Sequence, residues 1–346
     1  METKTFFTGS YGEKSIGLLR LDERGRMSRK VLAEQSGASY LAYCSERQLL
    51  YALTSSDRAG AYLHVYRYED EQLRLLRRCR QSSPGACHLA ISREWLLIAY
   101  YKGGAADIFK LDEDGLPEER PRFTVKHEGG GPEPQQDSAH IHWVYVKEGS
   151  PDTLRFYLID LGNDSFCEYF LQDGKGPAEH SLRLAHIVNF PPGSGPRHAV
   201  ADEARGMLYV LSELDSRLYP MKMKDDGFML KDAWPLRAED AAGESWGGAI
   251  RADDAMSLLF CSNRGDETIR CFDIRDGLRH FDLAKSSFKH CRDLRYASAG
   301  DHEFLLLANL KSDCISLMDI DRRARRLTER REALEVPQPA CICPAF

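Results

Sequence analysis

The sequence predicts an all-β fold, a seven-bladed β-propeller with blades of four antiparallel strands. One apolar strand that ends in small, polar or charged residues recurs seven times along the chain. A second strand follows each copy, and these second strands recur at roughly 44 to 59 residues, the spacing of a propeller blade. Alternation such as Leu63-x-Val65-x-Arg67 and Ile269-x-Cys271-x-Asp273 has the two-residue period of a strand, and no amphipathic helix of ordinary length is visible.

In chain order, the recurring apolar strand is Thr5–Tyr11, Leu49–Ser55, Trp95–Lys102, Leu154–Gly162, Met207–Glu213, Leu258–Arg264 and Phe304–Leu310. Its successors are Ile16–Asp22, Leu63–Tyr68, Asp107–Asp112, Phe166–Gln172, Leu218–Met223, Ile269–Asp273 and Ile315–Asp319. A shorter strand precedes the apolar one at Tyr40–Cys44, His88–Ser92, His142–Val146, His198–Asp202, Ala249–Ala252 and Asp293–Tyr296, but not before Thr5. The C-terminal run Ala340–Phe346 has the character of the missing copy. It is expected to complete the blade begun by the N-terminus, closing one domain, residues 1–346, and removing two exposed sheet edges. The segment Lys126–Ala139, with Gly129, Gly130, Gly131, Pro132 and Pro134, reads as irregular, either a rim loop or a plain connection.

Composition narrows the function. A hydrophobic fraction of 42% and a charged fraction of 29% suit a globular chain with a sizeable core, and a net charge of -6 gives no support to a nucleic-acid partner. No stretch has the roughly 20 apolar residues that cross a bilayer, so no membrane partner is expected. Residues 1–10 lack an apolar run after a charged start, so no secretory signal is expected and the location reads as cytoplasmic. The ten cysteines fall in strand-like runs without a C-x-x-C pair, which favours reduced core thiols over disulfides or zinc. No metal and no cofactor is implied, and the oligomeric state is open.

In an antiparallel pair the start of the leading strand and the end of its partner lie at the same end. If the leading strand is innermost, both ends ring one mouth of the channel. The starts carry His88, His140 with His142, Arg197 with His198, Trp246 and Arg292; the ends carry Tyr101 with Lys102, Asp160, Glu213, Arg264, and Asn309 with Lys311. Charges at the ends of apolar strands are costly unless paired or serving a ligand. Any one of them can be a plain structural ion pair, but their joint placement points to a site for a small anion.

The runs Gly193–His198, Leu208–Asp215 and Cys261–Asp266 resemble the lactonase propeller family, which includes cytoplasmic 6-phosphogluconolactonases and a carboxy-cis,cis-muconate cyclase. Gln136–His142, Asp160–Asp164, Cys87-His88, Arg292-Asp293 and the tail Pro339–Phe346 extend the likeness through nearly the whole chain. The resemblance implies hydrolysis of a sugar-acid lactone. It places the proposed chemistry on His142, Arg197, Glu213 and Arg264, with His88, His140, Asp160, His198, Arg292 and Lys102 around the substrate. Cys291 stands where the family has Pro, Ile250-Arg251 where it has an Ile-His pair, and the tail differs, which leaves the substrate open. The reverse, lactonising reaction and a non-catalytic propeller that binds a small anion or a protein are the alternatives. Either His142 or Glu213 is the base. The histidines lack H-E-x-x-H spacing, and no G-x-S-x-G elbow is present.

Overall fold

A computed structural model describes residues 2–12, 15–34, 37–54, 61–147, 153–172 and 181–346; Ser55, the expected end of one apolar strand, lies outside them. Seven antiparallel sheets form the molecule, each opening with its leading strand. The leading strands are Pro339–Pro344, Ala38–Cys44, Ala86–Ile91, Ile141–Lys147, Pro196–Asp202, Trp246–Ala252 and Cys291–Ala299. Each touches the leading strands of both neighbouring sheets, so together they form a closed inner ring.

The apolar strands sit second in each blade, buried on both faces. Trp95–Tyr100 is buried at every residue, whereas the outermost strand Ser181–Asn189 of the next blade is mostly exposed. This explains why the second strand reads as a continuous apolar run and the outer one as charged: blades stack face to face, so only a blade's inner strands have partners on both sides. Seven hydrophobic clusters fill the seven interfaces between neighbouring blades. The cluster between the third and fourth blades, for example, joins Leu97 and Ile108 to Val144 and Phe156.

Closure occurs as the tail implied. Pro339–Pro344 pairs with Thr3–Ser10, setting Phe7 opposite Cys343 and Thr8 opposite Ile342. Cys341 and Cys343 both pack with Phe7 and Leu41. All ten cysteines are free thiols, as a reduced core requires. Two details depart from the expected pattern. The segment Lys126–Ala139 contains a short 3-10 turn, Pro134–Gln136, whose Gln136 side chain donates to the Leu161 carbonyl at 2.8 Å. The fifth blade carries an extra two-residue strand, Trp234–Pro235, against its third strand.

One irregularity repeats in every blade and positions the site. The register between the leading and second strands shifts at the same end each time, between Ala38 and Tyr40, Ala86 and His88, Ile141 and Trp143, Pro196 and His198, Gly247 and Ile250, and Cys291 and Asp293. In the closing blade the shift faces Gly9 and Ser10. The unpaired residues are Ser39, Cys87, His142, Arg197, the pair Gly248 and Ala249, and Arg292. A bulge bends its strand and redirects the extra side chain.

Candidate active site

The bulged residues converge. Ser39, Cys87, Arg197, Arg292 and Ala340 line one narrow constriction together with Tyr40, His198 and Asp293. Above it opens a cavity of about 610 Å³, with Cys87, His142, Glu213, Arg264, Arg292 and Tyr11 among its lining residues. Three of the four residues expected to carry chemistry therefore border this cavity, and the fourth, Arg197, lies in the constriction beneath it.

Glu213 ties the group together. Its Oε2 is 2.8 Å from Arg197 Nε and 2.8 Å from Arg264 Nη2, so both guanidinium groups lie on one side of the disc. Backbone carbonyls complete the frame: Arg264 Nη2 donates to Gly247 O at 2.7 Å, and Arg197 Nη1 donates to Gly248 O. Glycine is required at both carbonyl positions. A Cβ at Gly247 would lie 2.1 Å from Ser212 O, and one at Gly248 would lie 2.7 Å from Cys291 O. Arg292 donates to the Tyr11 hydroxyl at 2.9 Å with its guanidinium over the same ring.

Two arginines thus share a single carboxylate, with Arg292 close enough to act on it, and the electrostatics follow. Burial pushes the Arg197 guanidinium down to about 9, aided by repulsion from Arg264 and opposed by Glu213. Burial alone would raise the Glu213 carboxyl, but Arg264 and Arg197 outweigh it and hold it below its ordinary value. Glu213 is accordingly ionised near pH 7 and bridges two cations.

The three imidazoles of His88, His142 and His198 come from successive blades and meet edge to face. Ring centroids are 5.0 Å apart for His142 and His198, and 5.4 Å for His88 and His198. Burial, reinforced by nearby guanidinium groups, drives all three well below the ordinary histidine value, so each is neutral near pH 7. His198 Nδ1 accepts from Arg197 Nη1 at 3.1 Å. His88 Nδ1 is 3.5 Å from the Val144 amide. His142 differs: its buried Nδ1 has no hydrogen-bond partner among the described residues, although it borders a polar cavity.

Two residues expected near the substrate lie elsewhere. Asp160 is fully buried and stands outside the cavity lining. Its Oδ1 accepts from the amides of His140 at 2.7 Å and Gly162 at 2.9 Å, while Oδ2 is 2.8 Å from His127 Nδ1. Its place at the end of an apolar strand is explained by backbone satisfaction. His140 also lies outside the lining; its two ring nitrogens are taken by Tyr101 O at 2.8 Å and Asp137 Oδ1 at 3.0 Å. It stacks on Tyr101 at 4.2 Å and so supports a lining residue from behind. Lys102 does border the cavity, whereas His198 borders only the constriction and His88 packs behind it against Tyr40 at 4.4 Å. Asn309 is spent on the blade itself, donating to Ser316 Oγ at 2.8 Å.

The lining also includes Tyr11 and the consecutive run Arg80–Gly85, which strand-end reasoning left out. The connection from the outermost strand of one blade enters the next leading strand at its start. It therefore reaches the same rim, and this topological fact was the available signal.

Comparison with known proteins decides the family. The model of the seven-bladed β-propeller lactonases matches residues 5–344. The chain belongs to the lactonase seven-bladed propeller family. Among relatives of this lactonase-family chain, 6-phosphogluconolactonase of Bacillus subtilis strain 168 is 25% identical over 350 residues, covering 97% of each chain. The solved periplasmic gluconolactonase PpgL of Pseudomonas aeruginosa superposes with a TM-score of 0.86 at 22% identity, covering 98% of each chain. A Lactobacillus plantarum protein of known structure gives the same TM-score of 0.86 at 23% identity over 98% of each chain.

Proposed function

We propose that this family member hydrolyses the lactone of an anionic sugar acid, of the 6-phosphogluconolactone type, in the cavity bordered by His142, Glu213, Arg264 and Arg292. The observation that carries the reading is charge. Among the described residues, five charged side chains line the cavity: Arg80, Lys102, Arg264 and Arg292 are cationic, against Glu213. An excess of fixed cations in a concave site raises the local concentration of an anion and speeds its capture. Lactone hydrolysis by the family and by the Bacillus relative supports the reaction class.

The chemistry needs a proton acceptor, an oxyanion site and a proton for the departing oxygen. The neutral His142 imidazole takes a proton from water as the water oxygen bonds to the lactone carbonyl carbon. Negative charge then grows on the former carbonyl oxygen, where the guanidinium groups of Arg264 and Arg292 supply donors. Collapse of the tetrahedral species breaks the ring C–O bond, and the imidazolium returns its proton to the leaving alkoxide. Glu213 touches Arg197 and Arg264 and fixes their direction. Every step is assigned to side chains of the chain. A cytoplasmic location, in keeping with ten unpaired cysteines, is part of the proposal.

The test is pH-stat hydrolysis of δ-gluconolactone and its 6-phosphate by the parent and by Arg264→Ala. The parent should exceed the spontaneous rate, and Arg264→Ala should lose roughly 100- to 1000-fold in kcat, the usual effect of removing one oxyanion donor. A parent no faster than the uncatalysed reaction on either lactone overturns the reading.

A further inference from the structure

We infer that the rim of the cavity holds a phosphate-binding subsite, formed by Arg80 and Lys102 on the Arg80–Gly85 segment and the neighbouring turn, which selects phosphorylated over unphosphorylated lactones. The inference rests on the lactonase reading and adds to it a specificity determinant separate from the reacting end.

The lining is asymmetric. One side of the cavity is made by six consecutive residues, Arg80 to Gly85, together with Tyr101 and Lys102, and no carboxylate stands among them. Arg80 and Lys102 are exposed, and neither side chain has an ion-pair or hydrogen-bond partner among the described residues. The floor is different, because its guanidinium groups are already partly engaged and the donors left to Arg264 and Arg292 face the reacting end. Arg197 and Arg264 share Glu213 and backbone carbonyls, and Arg292 is held by Tyr11. A phosphate monoester brings roughly 1.5 to 2 negative charges and three acceptor oxygens, and so calls for donors that are not yet engaged. The rim offers two whole cationic side chains of this kind, and an exposed lysine is a common phosphate partner.

The rim is also built in advance. The Gln81 amide donates to Ala61 O at 3.0 Å, and its side chain donates to Tyr62 O at 3.0 Å. Ser82 Oγ donates to Asp107 Oδ2 at 2.6 Å. Asp107 is fully buried and also receives the Tyr100 and Thr124 hydroxyls, so it anchors the segment and its charge is met inside the blade. Gly85 O accepts from the Tyr101 amide at 2.8 Å, and a Cβ at Gly85, where φ is +76°, would lie 2.9 Å from Lys102 Cβ. Glycine there lets the lysine turn pack directly against the segment. The two cations are thereby carried on backbones that are fixed relative to each other, which lowers the cost of organising them around an anion.

The experiment measures kcat/KM for δ-gluconolactone 6-phosphate and for δ-gluconolactone with the parent, Arg80→Gln, Lys102→Gln and the double variant, alongside Lys102→Arg. The ratio of the two kcat/KM values should fall roughly 10-fold in the double variant, as loss of charge-assisted hydrogen bonds predicts, and Lys102→Arg should retain most of the ratio. An unchanged ratio overturns the subsite, whether both activities persist or fall in parallel. The lactonase reading fails separately. If the parent hydrolyses neither lactone, calorimetry of 6-phosphogluconate against gluconate decides the subsite alone. Preference for the phosphorylated acid that disappears in the double variant upholds the subsite, and equal binding refutes it.

Discussion

Replacing Glu213 by Gln keeps the side chain's shape and removes the negative charge that Arg197 and Arg264 share. Glu213 Oε2 stands 2.8 Å from both Arg197 and Arg264, and the Arg197 side chain is only 2% exposed. In the variant a buried cation loses its partner, a change that costs about 3–5 kcal/mol. The low end applies, because the Glu213 side chain keeps 21% exposure and water can reach the arginines through the cavity. For a chain of 346 residues, an unfolding entropy of about 0.7 kcal/mol/K converts about 3 kcal/mol into a fall in Tm of about 4 °C. The sign of the pH dependence follows from the depressed carboxyl. Its contribution is present above the ordinary carboxylate value of 4.5 and is lost as pH falls through the lower folded value. Thermal melts of parent and variant should therefore differ at pH 7 and converge in acid. Loss of the clamp also lets the donors drift, so kcat should fall roughly 100-fold. A variant with unchanged Tm at pH 7 but abolished turnover would refute the clamp and return Glu213 to the role of base.

Three further outcomes follow from the same geometry. His142→Gln should keep the parent Tm and lower kcat roughly 100- to 10,000-fold; because burial and Arg197 hold the parent imidazole well below 6.5, the acid limb of the parent kcat/KM profile should lie below pH 6.5, and a limb at ordinary histidine values would contradict this. Asp293→Ala should cost about 3–5 kcal/mol in denaturant unfolding, since buried Asp293 pairs with the partly buried Arg251 at 2.8 Å and accepts from the Ile342 amide of the closing strand at 2.9 Å. Burial alone would lower His127, but its bonds to Asp160 and Cys167 outweigh that and raise it to about 9; its stabilisation is complete below about 6.5 and lost as pH rises through 9, so the parent Tm should fall over that interval and the His127→Gln Tm should not.

The fold was legible because blade stacking leaves a strong mark on composition. A strand buried on both faces must be apolar throughout, and seven such runs at blade spacing fit a propeller and hardly any competing architecture. The closing strand was legible for the same reason, since Ala340–Cys343 can satisfy its backbone and bury its side chains only by pairing with Thr3–Ser10. The gathering of His142, Glu213, Arg264 and Arg292 around one cavity followed from antiparallel geometry. What remained hidden was direction.

Strand alternation assigns side chains by parity, and a bulge resets that parity at one residue without a distinctive sequence mark. Parity would place neighbouring residues such as Arg197 and His198, or Arg292 and Asp293, on opposite faces. The bulge instead leaves all four on the same constriction. Asp160 shows the converse: a carboxylate at the correct strand end is absorbed by the amides of His140 and Gly162, and no spacing rule distinguishes that fate from facing a ligand. Arg251, expected only as a departure from a pattern, became legible once Asp293 was seen to join it to the Ile342 amide. That pairing carries a buried charge from the channel wall to the strand that closes the ring. The same bulge geometry that assembles the candidate site thus lies next to the contact that holds the propeller shut, so substitutions at Arg292 and Asp293, adjacent in sequence, should separate cleanly into loss of turnover and loss of stability.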